Sequence, residues 1–556
     1  MKDYVIAISG EAGQGINTTG DMLALSLFRN GYCVFTDKSY HSRIRGGEYV
    51  YRIRISEEPL FSMRQEFDLL VSLSKSTTLS QIEYFHEDTV LVFDSDSEHI
   101  TEEDTGVRLK KLDFPFKRIA REAGEVRAQN IVSLGAILSL LGVKIEIPQR
   151  LVREAFEGKE EIMQANLRAL GKGYEISLSI ELPSFKVGEH DYYFMNGTEG
   201  AALGAIAAGC KFLSAYPMTP GTGVMTFMAA NALKHNIVVE QAEDEIAAIN
   251  MAIGASYAGA RSLVTTSGGG FALMQEGVSL AAMVETPVVI VDAQRPAPAT
   301  GLPTRTAQED LAFVVHSGHG EFVKYVVAPR TPKDAFEITE KAFYIADKYQ
   351  IPVIILLTES LNDSSATVEK PVHREEYLER FIVEPGEGYK RFKITRDSIS
   401  PRAIPGGKAL VKVDSDEHDE EGHITEDLKI RKAMVDKRMN KLSGLLGELS
   451  EPLRYNLSAP VVLIGWGDSW GAIDEFCRSR DGFGYIHFNE VFPIDASAFS
   501  GLEEKRLLAV EGNYTGQFAS LIGAVTGIKV EHVGKYDGRP LSAFWIEEAL
   551  REEGII

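Results

Sequence analysis

The sequence contains very little cysteine. Its three cysteines, Cys33, Cys210 and Cys477, lie far apart and form no C-x-x-C pair, so the spacing typical of zinc and iron–sulfur ligands is missing. The sequence predicts neither a disulfide framework nor a metal site held by this chain. Any metal cluster would have to belong to a partner protein.

Long apolar runs and excess positive charge are also lacking. No uninterrupted apolar stretch approaches the ~18 residues of a membrane span, and the start, MKDYVIAISGEAGQG, has neither the basic region nor the long apolar core of a secretion signal. The net charge of -22, from 80 acidic and 58 basic residues, argues against a broad nucleic-acid surface. We expect a soluble cytoplasmic protein that binds neither membranes nor nucleic acids.

The chain, at 556 residues, is too long for one hydrophobic core. Residues 1–188 begin with the strand pattern YVIAISG and alternate strands with helices, and residues 189–370 repeat this order. Residues 371–455 have the composition of a connector, and residues 456–556 return to strand, glycine turn and helix. Continuous apolar strands such as TPVVIVDAQ need cover on both faces. The predicted fold class is therefore α/β and multidomain, with doubly wound, mostly parallel sheets.

A glycine-rich turn follows the first strand pattern. GEAGQG carries Gly10, Gly13 and Gly15 directly before a helix pattern, where backbone amides could receive a phosphate. The spacing differs from G-x-G-x-x-G and no Lys-Ser/Thr pair follows, so a tight turn without a ligand is equally consistent. Downstream, SRIRGGE places Arg43 and Arg45 beside two glycines, where they could pair with phosphates or form a surface ion-pair loop.

The segment AYPMTPGTGVMTF, residues 215–227, ends an apolar run with two prolines and a set of hydroxyls that includes Thr219. Prolines fix φ, and glycines let a ligand or the backbone approach closely. The pattern is consistent with an ordinary strand-to-helix connection. It is also consistent with a stiffened turn that presents hydroxyls to a ligand.

Acidic residues begin the next helix pattern, VVEQAEDEIAAINMAIG. Glu243, Asp244 and Glu245 could simply interact with the helix dipole, which is the ordinary role of acids in a first turn. The alternative is a buried carboxyl that moves a proton. Glu245 lies in helical register with small alanines, so we expect it at the rim of a close-packed seam. Glu243 would be rotated away from that seam.

Two arginines, Arg295 and Arg305, lie in the Pro- and Gly-rich stretch QRPAPATGLPTRTAQEDL after a buried strand. Such loops, at the carboxyl ends of parallel strands, are where α/β sheets bind ligands. An arginine there could bind a carboxylate with both arms of its guanidinium. It could equally pair with Glu309 or Asp310.

The connector contains the acidic run DSDEHDEEGHITED, residues 414–427, with eight acidic residues, His418 and His423. A metal cluster is conceivable there. A solvated acidic turn is more typical of this composition, and we predict no metal ligands in the chain.

Five motifs resemble, in order, the pyrimidine-domain half of 2-oxoacid:ferredoxin oxidoreductases: YPMTP, EDEIAAINMAIGASYAGA, TTSGGGF, TGLPTRTAQEDL and HGE. GEAGQG and SRIRGGE resemble the γ domain of that family, fused here ahead of the α portion, and GHITED, VLIGWG and EGNYTGQFA resemble its later segments. The resemblance implies a γ domain, a thiamine pyrimidine-binding domain and a transketolase C-terminal-like domain. Within the family, the chain most resembles the 2-oxoglutarate subgroup.

The resemblance implies the γα subunit of an enzyme that uses thiamine diphosphate, a [4Fe-4S] cluster and coenzyme A to decarboxylate a 2-oxoacid and reduce ferredoxin. The GDG-type motif for the diphosphate and Mg²⁺ is absent, as are cluster cysteines. A separate β subunit would hold both, in a (γα/β)₂ heterotetramer. Pyruvate or broad substrate use and a non-catalytic scaffold role are the alternatives. A nicotinamide dehydrogenase, suggested only by the first glycine turn, ranks last.

The resemblance also assigns residues to the thiamine ring. Thr219 would face the ring and the substrate, with Tyr216 and Pro217 beside it. In the wider thiamine-enzyme superfamily the activating glutamate precedes a helix glycine by nine positions, and Gly254 places it at Glu245. That carboxyl would favour the imino form of the aminopyrimidine, which removes the proton from the thiazolium carbon.

The substrate and coenzyme A contacts follow from the same resemblance. Arg305 of TGLPTR would hold the substrate carboxylate, and Gly13, Gly15, Arg43 and Arg45 would contact coenzyme A. Two motifs depart from the family pattern, because TTSGGGF replaces TSGPGF and RPAPATG replaces RGGPSTG. Both would lie beside the substrate cavity, so the acid accepted stays open.

Overall fold

The computed structural model of the chain describes residues 2–41, 47–94, 96, 99–176 and 183–556. Its strands are β1 (Asp3–Glu11), β2 (Cys33–Tyr40), β3 (Glu48–Ser56), β4 (Leu69–Ser72), β5 (Val90–Phe93), β6 (Lys110–Asp113), β7 (Tyr192–Asn196), β8 (Phe212–Ala215), β9 (Val238–Gln241), β10 (Ser262–Thr266), β11 (Val288–Gln294), β12 (Tyr325–Val327), β13 (Pro352–Thr358), β14 (Ser365–Glu369), β15 (Leu453–Tyr455), β16 (Val461–Trp466), β17 (Phe483–Phe488), β18 (Glu490–Phe492), β19 (Arg506–Glu511) and β20 (Glu531–Gly534). Its helices are α1 (Ile16–Arg29), α2 (Lys75–Leu79), α3 (Glu102–Thr105), α4 (Phe116–Glu122), α5 (Gln129–Leu140), α6 (Glu146–Ala155), α7 (Glu160–Tyr174), α8 (Gly197–Ala207), α9 (Thr222–His235), α10 (Glu245–Tyr257), α11 (Gly268–Leu273), α12 (Gln275–Met283), α13 (Leu311–Val315), α14 (Pro332–Tyr349), α15 (Glu359–Asp363), α16 (Leu428–Leu446), α17 (Trp470–Ser479), α18 (Gln517–Thr526) and α19 (Ala543–Glu552).

One compact unit is formed mainly by residues up to 195, together with residues 363–370. Its eight-stranded sheet has the order β6-β5-β4-β1-β3-β2-β14-β7. The half from β6 to β1 is parallel, whereas β3 runs antiparallel to both β1 and β2. The sheet is thus less parallel than a doubly wound pattern predicts. The cause is the short connection between β2 and β3, since parallel neighbours need a crossover of a dozen or more residues.

The second compact unit comprises residues 196–362, 371–541 and 545–556. It contains a seven-stranded sheet of order β18-β12-β13-β11-β10-β8-β9 and a five-stranded sheet of order β15-β17-β16-β19-β20. In the larger sheet all pairs are parallel except β12 with β18. This confirms the prediction of an α/β fold with mostly parallel sheets. The four-part division at residues 188, 370 and 455 stays a prediction.

Close backbone packing explains the glycines of helix α8. A Cβ at Gly200 would lie 2.2 Å from the Pro332 carbonyl oxygen, and one at Gly204 would lie 2.4 Å from the Phe336 carbonyl oxygen. Helices α8 and α14 therefore approach backbone to backbone on one face of the larger sheet. That face is filled by small, aliphatic and aromatic side chains, which include those of α8, α14 and the strands and are buried.

The connector is fixed to the second unit by buried ion pairs. Glu285, which follows α12, is fully buried, and its two carboxylate oxygens accept from Lys437 Nζ at 2.5 Å and Lys441 Nζ at 2.7 Å. Both lysines lie on α16 and are also buried. Arg391 of the connector donates to the Glu285 carbonyl oxygen at 2.6 Å. We call Glu285, Lys437, Lys441 and Arg391 the Glu285 cluster.

Candidate active site at the carboxyl edge of the larger sheet

The parallel strands β8 to β11 of the seven-stranded sheet all end at one edge, which we call the carboxyl edge. The segments that leave it are residues 216–221 after β8, 242–245 after β9, 267–270 after β10 and 295–310 after β11. Open α/β sheets bind ligands at such an edge, because several loops and helix starts converge there. The YPMTP, EDE, TTSGGG and TGLPTR motifs therefore meet at one place.

Glu245 is the first residue of α10 and is only 2% exposed. Asp244 caps the helix, because its carboxylate accepts from the Ala247 amide at 2.7 Å. Among the residues that the structure describes, Glu245 Oε1 has no hydrogen-bond partner. Burial raises the pKa of the Glu245 carboxyl, and the charge of Asp244 raises it further. Glu243, in contrast, is exposed.

The triple-glycine segment Gly268, Gly269 and Gly270 lies between two acidic side chains. A Cβ at Gly270 would be 2.5 Å from Glu245 Oε1 and 2.2 Å from Thr266 Oγ1. A Cβ at Gly268 would be 2.5 Å and 2.6 Å from the two carboxyl oxygens of Asp310. A side chain at either position would therefore displace a carboxyl group.

Replacement of Gly270 by alanine is expected to displace the Glu245 carboxyl. Overpacking of this kind typically costs about 1–3 kcal/mol, and the displaced carboxyl should lower the rate of any reaction in which Glu245 takes part. Thermal unfolding and steady-state rates measure both effects. Gly269→Ala is the matched control, because its Cβ would be 3.7 Å from the nearest atom, the Ala299 carbonyl oxygen. Equal behaviour of the two variants would contradict the steric argument.

Thr219 lies exposed in the turn after β8, and its backbone is held from the neighbouring loop. Arg295 donates from Nη1 to the Thr219 carbonyl oxygen at 2.6 Å, and the residue is 8% exposed. The Thr265 hydroxyl donates to the Gly221 carbonyl oxygen at 2.9 Å. The side chains of Tyr216 and Pro217 are exposed beside Thr219. The turn is thus fixed through its backbone while its side chains face outward.

Arg305 lies where the loop from β11 reaches the smaller sheet. A Cβ at Gly538 would be 3.1 Å from Arg305 Cβ, and the Thr306 amide donates to the Gly538 carbonyl oxygen at 3.2 Å. Gln308 then joins the loop to the ends of two strands. Its side chain donates to the Trp466 carbonyl oxygen at 2.9 Å and accepts from the Gly512 amide at 2.8 Å.

Three residues of this region were missed by the sequence analysis: Asp292, Asp310 as a buried acid, and Gln308. Asp292 could have been detected from the sequence, because it lies inside the apolar strand VVIVDAQ. Burying an aspartate there costs free energy unless the side chain is paired or hydrogen-bonded. Asp310 was considered only as a surface partner for arginine, whereas it is 7% exposed. The sequence offers no local sign of the contacts of Gln308, since its partners lie more than 150 residues away.

The glycine turn of the first unit forms a tight strand-to-helix connection. Gly13 and Gly15 have φ values of 100° and 76°, and Gly15 directly precedes α1. Positive φ explains these glycines without a ligand. Arg43 and Arg45 lie outside the described residues. The predicted coenzyme A contacts therefore stay predictions.

The acidic run of the connector is built into the fold. Glu417 accepts from Arg438 at 2.9 Å and 3.1 Å, and Asp427 caps α16. His418 is fully buried against Phe392, and burial lowers the pKa of its imidazole. Among the described residues, no group of three or more His, Cys, Asp or Glu side chains is arranged to hold a metal ion. No described helix is both long and apolar enough to cross a bilayer.

Comparison with known proteins gives similarity over the whole chain. A family model described as pyruvate flavodoxin/ferredoxin oxidoreductase, thiamine diphosphate-binding, matches residues 203–437, and one described as pyruvate ferredoxin/flavodoxin oxidoreductase matches residues 5–176. The 2-oxoacid:ferredoxin oxidoreductase subunit alpha of Sulfolobus sp is 33% identical, covering 98% of this chain and 96% of the relative. A 2-oxoglutarate oxidoreductase subunit of Mycobacterium tuberculosis is 28% identical, covering 97% of this chain and 89% of the relative.

A solved structure extends this similarity to three dimensions. The 2-oxoglutarate:ferredoxin oxidoreductase from Magnetococcus marinus, with 2-oxoglutarate, coenzyme A and succinyl-CoA bound, superposes with a TM-score of 0.92 at 31% identity. The match covers 100% of both chains.

Proposed function

Because the chain belongs to the 2-oxoacid:ferredoxin oxidoreductase family, as an alpha subunit, we propose that it acts with a separate β subunit on a 2-oxoacid, with 2-oxoglutarate favoured. The products are CO₂ and an acyl-CoA, and the electrons pass to ferredoxin. The chain is thus part of a cytoplasmic oxidoreductase. Pyruvate or a broader range of acids is the alternative substrate class.

The single observation that carries this proposal is the buried Glu245 carboxyl at the carboxyl edge. Its Oε1 lacks a partner within the described part of the chain, and a buried polar atom of this kind calls for a ligand or water. A nitrogen of the thiamine pyrimidine ring would satisfy it, so the residues fit the cofactor. When bound, thiamine diphosphate supplies a nucleophilic carbon for attack on the 2-oxo group and accepts the charge left by decarboxylation.

The protein's own residues would then have separate tasks. Glu245 would exchange a proton at Oε1 with the ring, and burial, which raises the pKa of this carboxyl, favours its protonated form. Thr219, whose carbonyl is held by Arg295, would present its hydroxyl beside the ring. Arg305 would bind the substrate carboxylate with its planar guanidinium.

The partner would cover the carboxyl edge. Large apolar side chains are exposed around it, including Tyr216 at 41%, Ile246 at 50%, Leu273 at 52% and Leu302 at 51%. Exposed apolar surface of this kind marks an interaction site. We propose that the β subunit, carrying Mg²⁺, the diphosphate end of thiamine and the [4Fe-4S] cluster, docks here in a (γα/β)₂ assembly. Coenzyme A would be contacted by Gly13, Gly15, Arg43 and Arg45.

The test is an assay of the chain purified with its co-eluting partner. A panel of 2-oxoacids is offered with a low-potential electron acceptor, with and without coenzyme A. The proposal predicts reduction of the acceptor that requires both a 2-oxoacid and coenzyme A, with 2-oxoglutarate giving the highest kcat/KM. Turnover by the isolated chain would contradict the requirement for a β subunit.

Substitution of Arg305 should separate substrate binding from chemistry. Arg305→Met removes the fork that binds the carboxylate, so we expect KM for the 2-oxoacid to rise by about 10- to 100-fold, corresponding to ~1.4–2.7 kcal/mol. Arg305→Lys keeps the positive charge but not the planar guanidinium, so its KM should lie between those of the wild type and Arg305→Met. Initial-rate measurements over a range of 2-oxoacid concentrations give both values. An unchanged KM in both variants would remove Arg305 from the substrate site.

A further inference from the structure

Three arginines converge on one buried carboxylate in the second unit. Asp347, near the end of α14, is 2% exposed. Its Oδ2 accepts from Arg261 Nε at 2.8 Å and from Arg380 Nε at 3.1 Å. Its Oδ1 lies 3.3 Å from Nη1 of Arg402. We call Asp347, Arg261, Arg380 and Arg402 the Asp347 cluster.

The three guanidinium groups differ in how their other N–H groups are used. Arg261 donates to three backbone carbonyl oxygens, at 2.5, 2.8 and 2.7 Å, and Arg380 donates to one at 2.8 Å. Arg402 is 5% exposed, and none of its three side-chain nitrogens has a hydrogen-bond partner among the described residues. Since Nη1 is the atom that faces Asp347, the edge formed by Nε and Nη2 is left without an acceptor in this part of the chain.

The cluster carries an excess of positive charge. Its ion pairs within the described residues join three guanidinium groups to one carboxylate, which leaves two positive charges uncompensated. Burial lowers the pKa of Arg402 to about 10, Asp347 opposes this shift, and the neighbouring arginines add to it. The guanidinium therefore remains charged at neutral pH. A buried charge without a partner is costly, and a water molecule at the free edge would accept hydrogen bonds without offsetting the charge.

We propose that the Nε and Nη2 edge of Arg402 binds a small inorganic anion, a halide or a phosphate. The two N–H groups of this edge point in the same direction, and one anion accepts from both, as in the paired contacts that arginine makes with oxyanions. The burial of Arg402 favours a compact ion over an organic acid. The Arg380 side chain is 34% exposed, so one side of the cluster lies next to solvent.

The anion would stabilise the attachment of the connector. Arg380 and Arg402 belong to the connector, whereas Asp347 lies on α14 and Arg261 directly precedes β10. An ion that offsets the repulsion among the arginines therefore holds these segments together. Because the site is formed only in the folded chain, its occupancy raises stability by mass action. This role does not depend on the proposed function.

Diffraction from bromide-containing crystals tests the site directly. The chain is crystallised with its co-eluting partner in sodium bromide, and the anomalous signal locates the bound ions. We expect a bromide peak in contact with Nε and Nη2 of Arg402. Crystals grown in sodium phosphate without halide distinguish the two sources, because a bound phosphate gives tetrahedral density at the same edge. Water alone at this edge in both crystals would overturn the proposal.

Thermal unfolding of the same complex measures the effect of the ion. Chloride or phosphate is titrated into sodium gluconate, a bulky organic salt, at constant ionic strength. The unfolding midpoint should rise by about 2–4 °C and then level off. In Arg402→Met this rise should be lost, while Asp347 keeps its hydrogen bonds from Arg261 and Arg380.

Arg396→Met is the matched control, because it removes an exposed arginine of the same connector. It should keep the wild-type response to both ions. Equal responses in the wild type and Arg402→Met would refute the site, and a bromide peak without any rise in the midpoint would mark an adventitious ion only. The diffraction experiment uses the wild type, so it decides the question even where the Arg402→Met chain does not fold.

Discussion

Replacement of Glu245 by glutamine is expected to lower kcat by about 10²- to 10⁴-fold, the usual contribution of a general acid–base group. Glutamine keeps the size of the side chain but cannot exchange a proton at Oε1. Since this oxygen is buried and lacks a partner in the described structure, the substitution should not disturb other hydrogen bonds. Steady-state rates with a saturating 2-oxoacid and coenzyme A measure the loss.

Glu243→Gln is the matched control for this experiment. It removes the same charge two positions away, from an exposed side chain, and should retain near-wild-type rates. Size-exclusion chromatography must show that both variants still assemble with the proposed β subunit. A Glu245→Gln enzyme that turns over normally, or an equal loss in Glu243→Gln, would show that the activating carboxyl lies elsewhere.

Replacement of Glu285 by glutamine is expected to destabilise the second unit by about 3–5 kcal/mol, because removal of one partner leaves buried charges uncompensated. Lys437 and Lys441 would then lie in the interior with no carboxylate to accept from them. The connector and α16 should loosen first, since both lysines belong to that helix. Urea unfolding, followed together with protease sensitivity of the connector, measures the change.

The control for this variant is Asp436→Asn on the same helix. Asp436 pairs with Lys432 at 2.6 Å, but both side chains are more than half exposed, so the loss should be no more than about 1 kcal/mol. Equal destabilisation by the two variants would contradict the importance of burial.

The Glu285 cluster also predicts a pH dependence. Burial alone would raise the pKa of Glu285, but the charges of Lys441, Lys437 and Arg391 hold it well below its usual value. A carboxyl with a depressed pKa stabilises the fold above its unfolded pKa, and that stability is lost as pH falls. The difference between wild type and Glu285→Gln should therefore shrink below about pH 4. Unfolding curves at several acidic pH values test this.

Much of the fold could be predicted from local patterns. The buried strand β11 was visible as VVIVDAQ, and α10 as an alanine-rich helix that begins at the acids. The antiparallel half of the first sheet was not predicted, because an apolar strand pattern carries no information about the direction of its neighbour. The connection between β2 and β3 was the available signal, since its shortness favours a hairpin.

At the carboxyl edge, the sequence predicted the placement of side chains where a motif fixes the local geometry. The burial of Glu245 follows from helical register, whereas the exposure of Glu243 follows from its place before the helix. Contacts between distant segments could not be predicted from the sequence. The hydrogen bond from Arg295 to Thr219 and the position of Asp310 against Gly268 depend on the order of strands in the sheet. No spacing in the sequence encodes that order.

The contacts of Gln308 bear on any attempt to change the substrate through the loop that we propose binds it. One end of the loop around Arg305 begins at β11, while Gln308 ties the other end to Trp466 and Gly512 of the smaller sheet. The loop's shape is thus dictated by two supports rather than by its own residues. Replacing the loop with that of a relative that accepts a different acid would transfer the loop sequence without the segments of the smaller sheet that hold it in place. The loop and those segments must therefore be exchanged together.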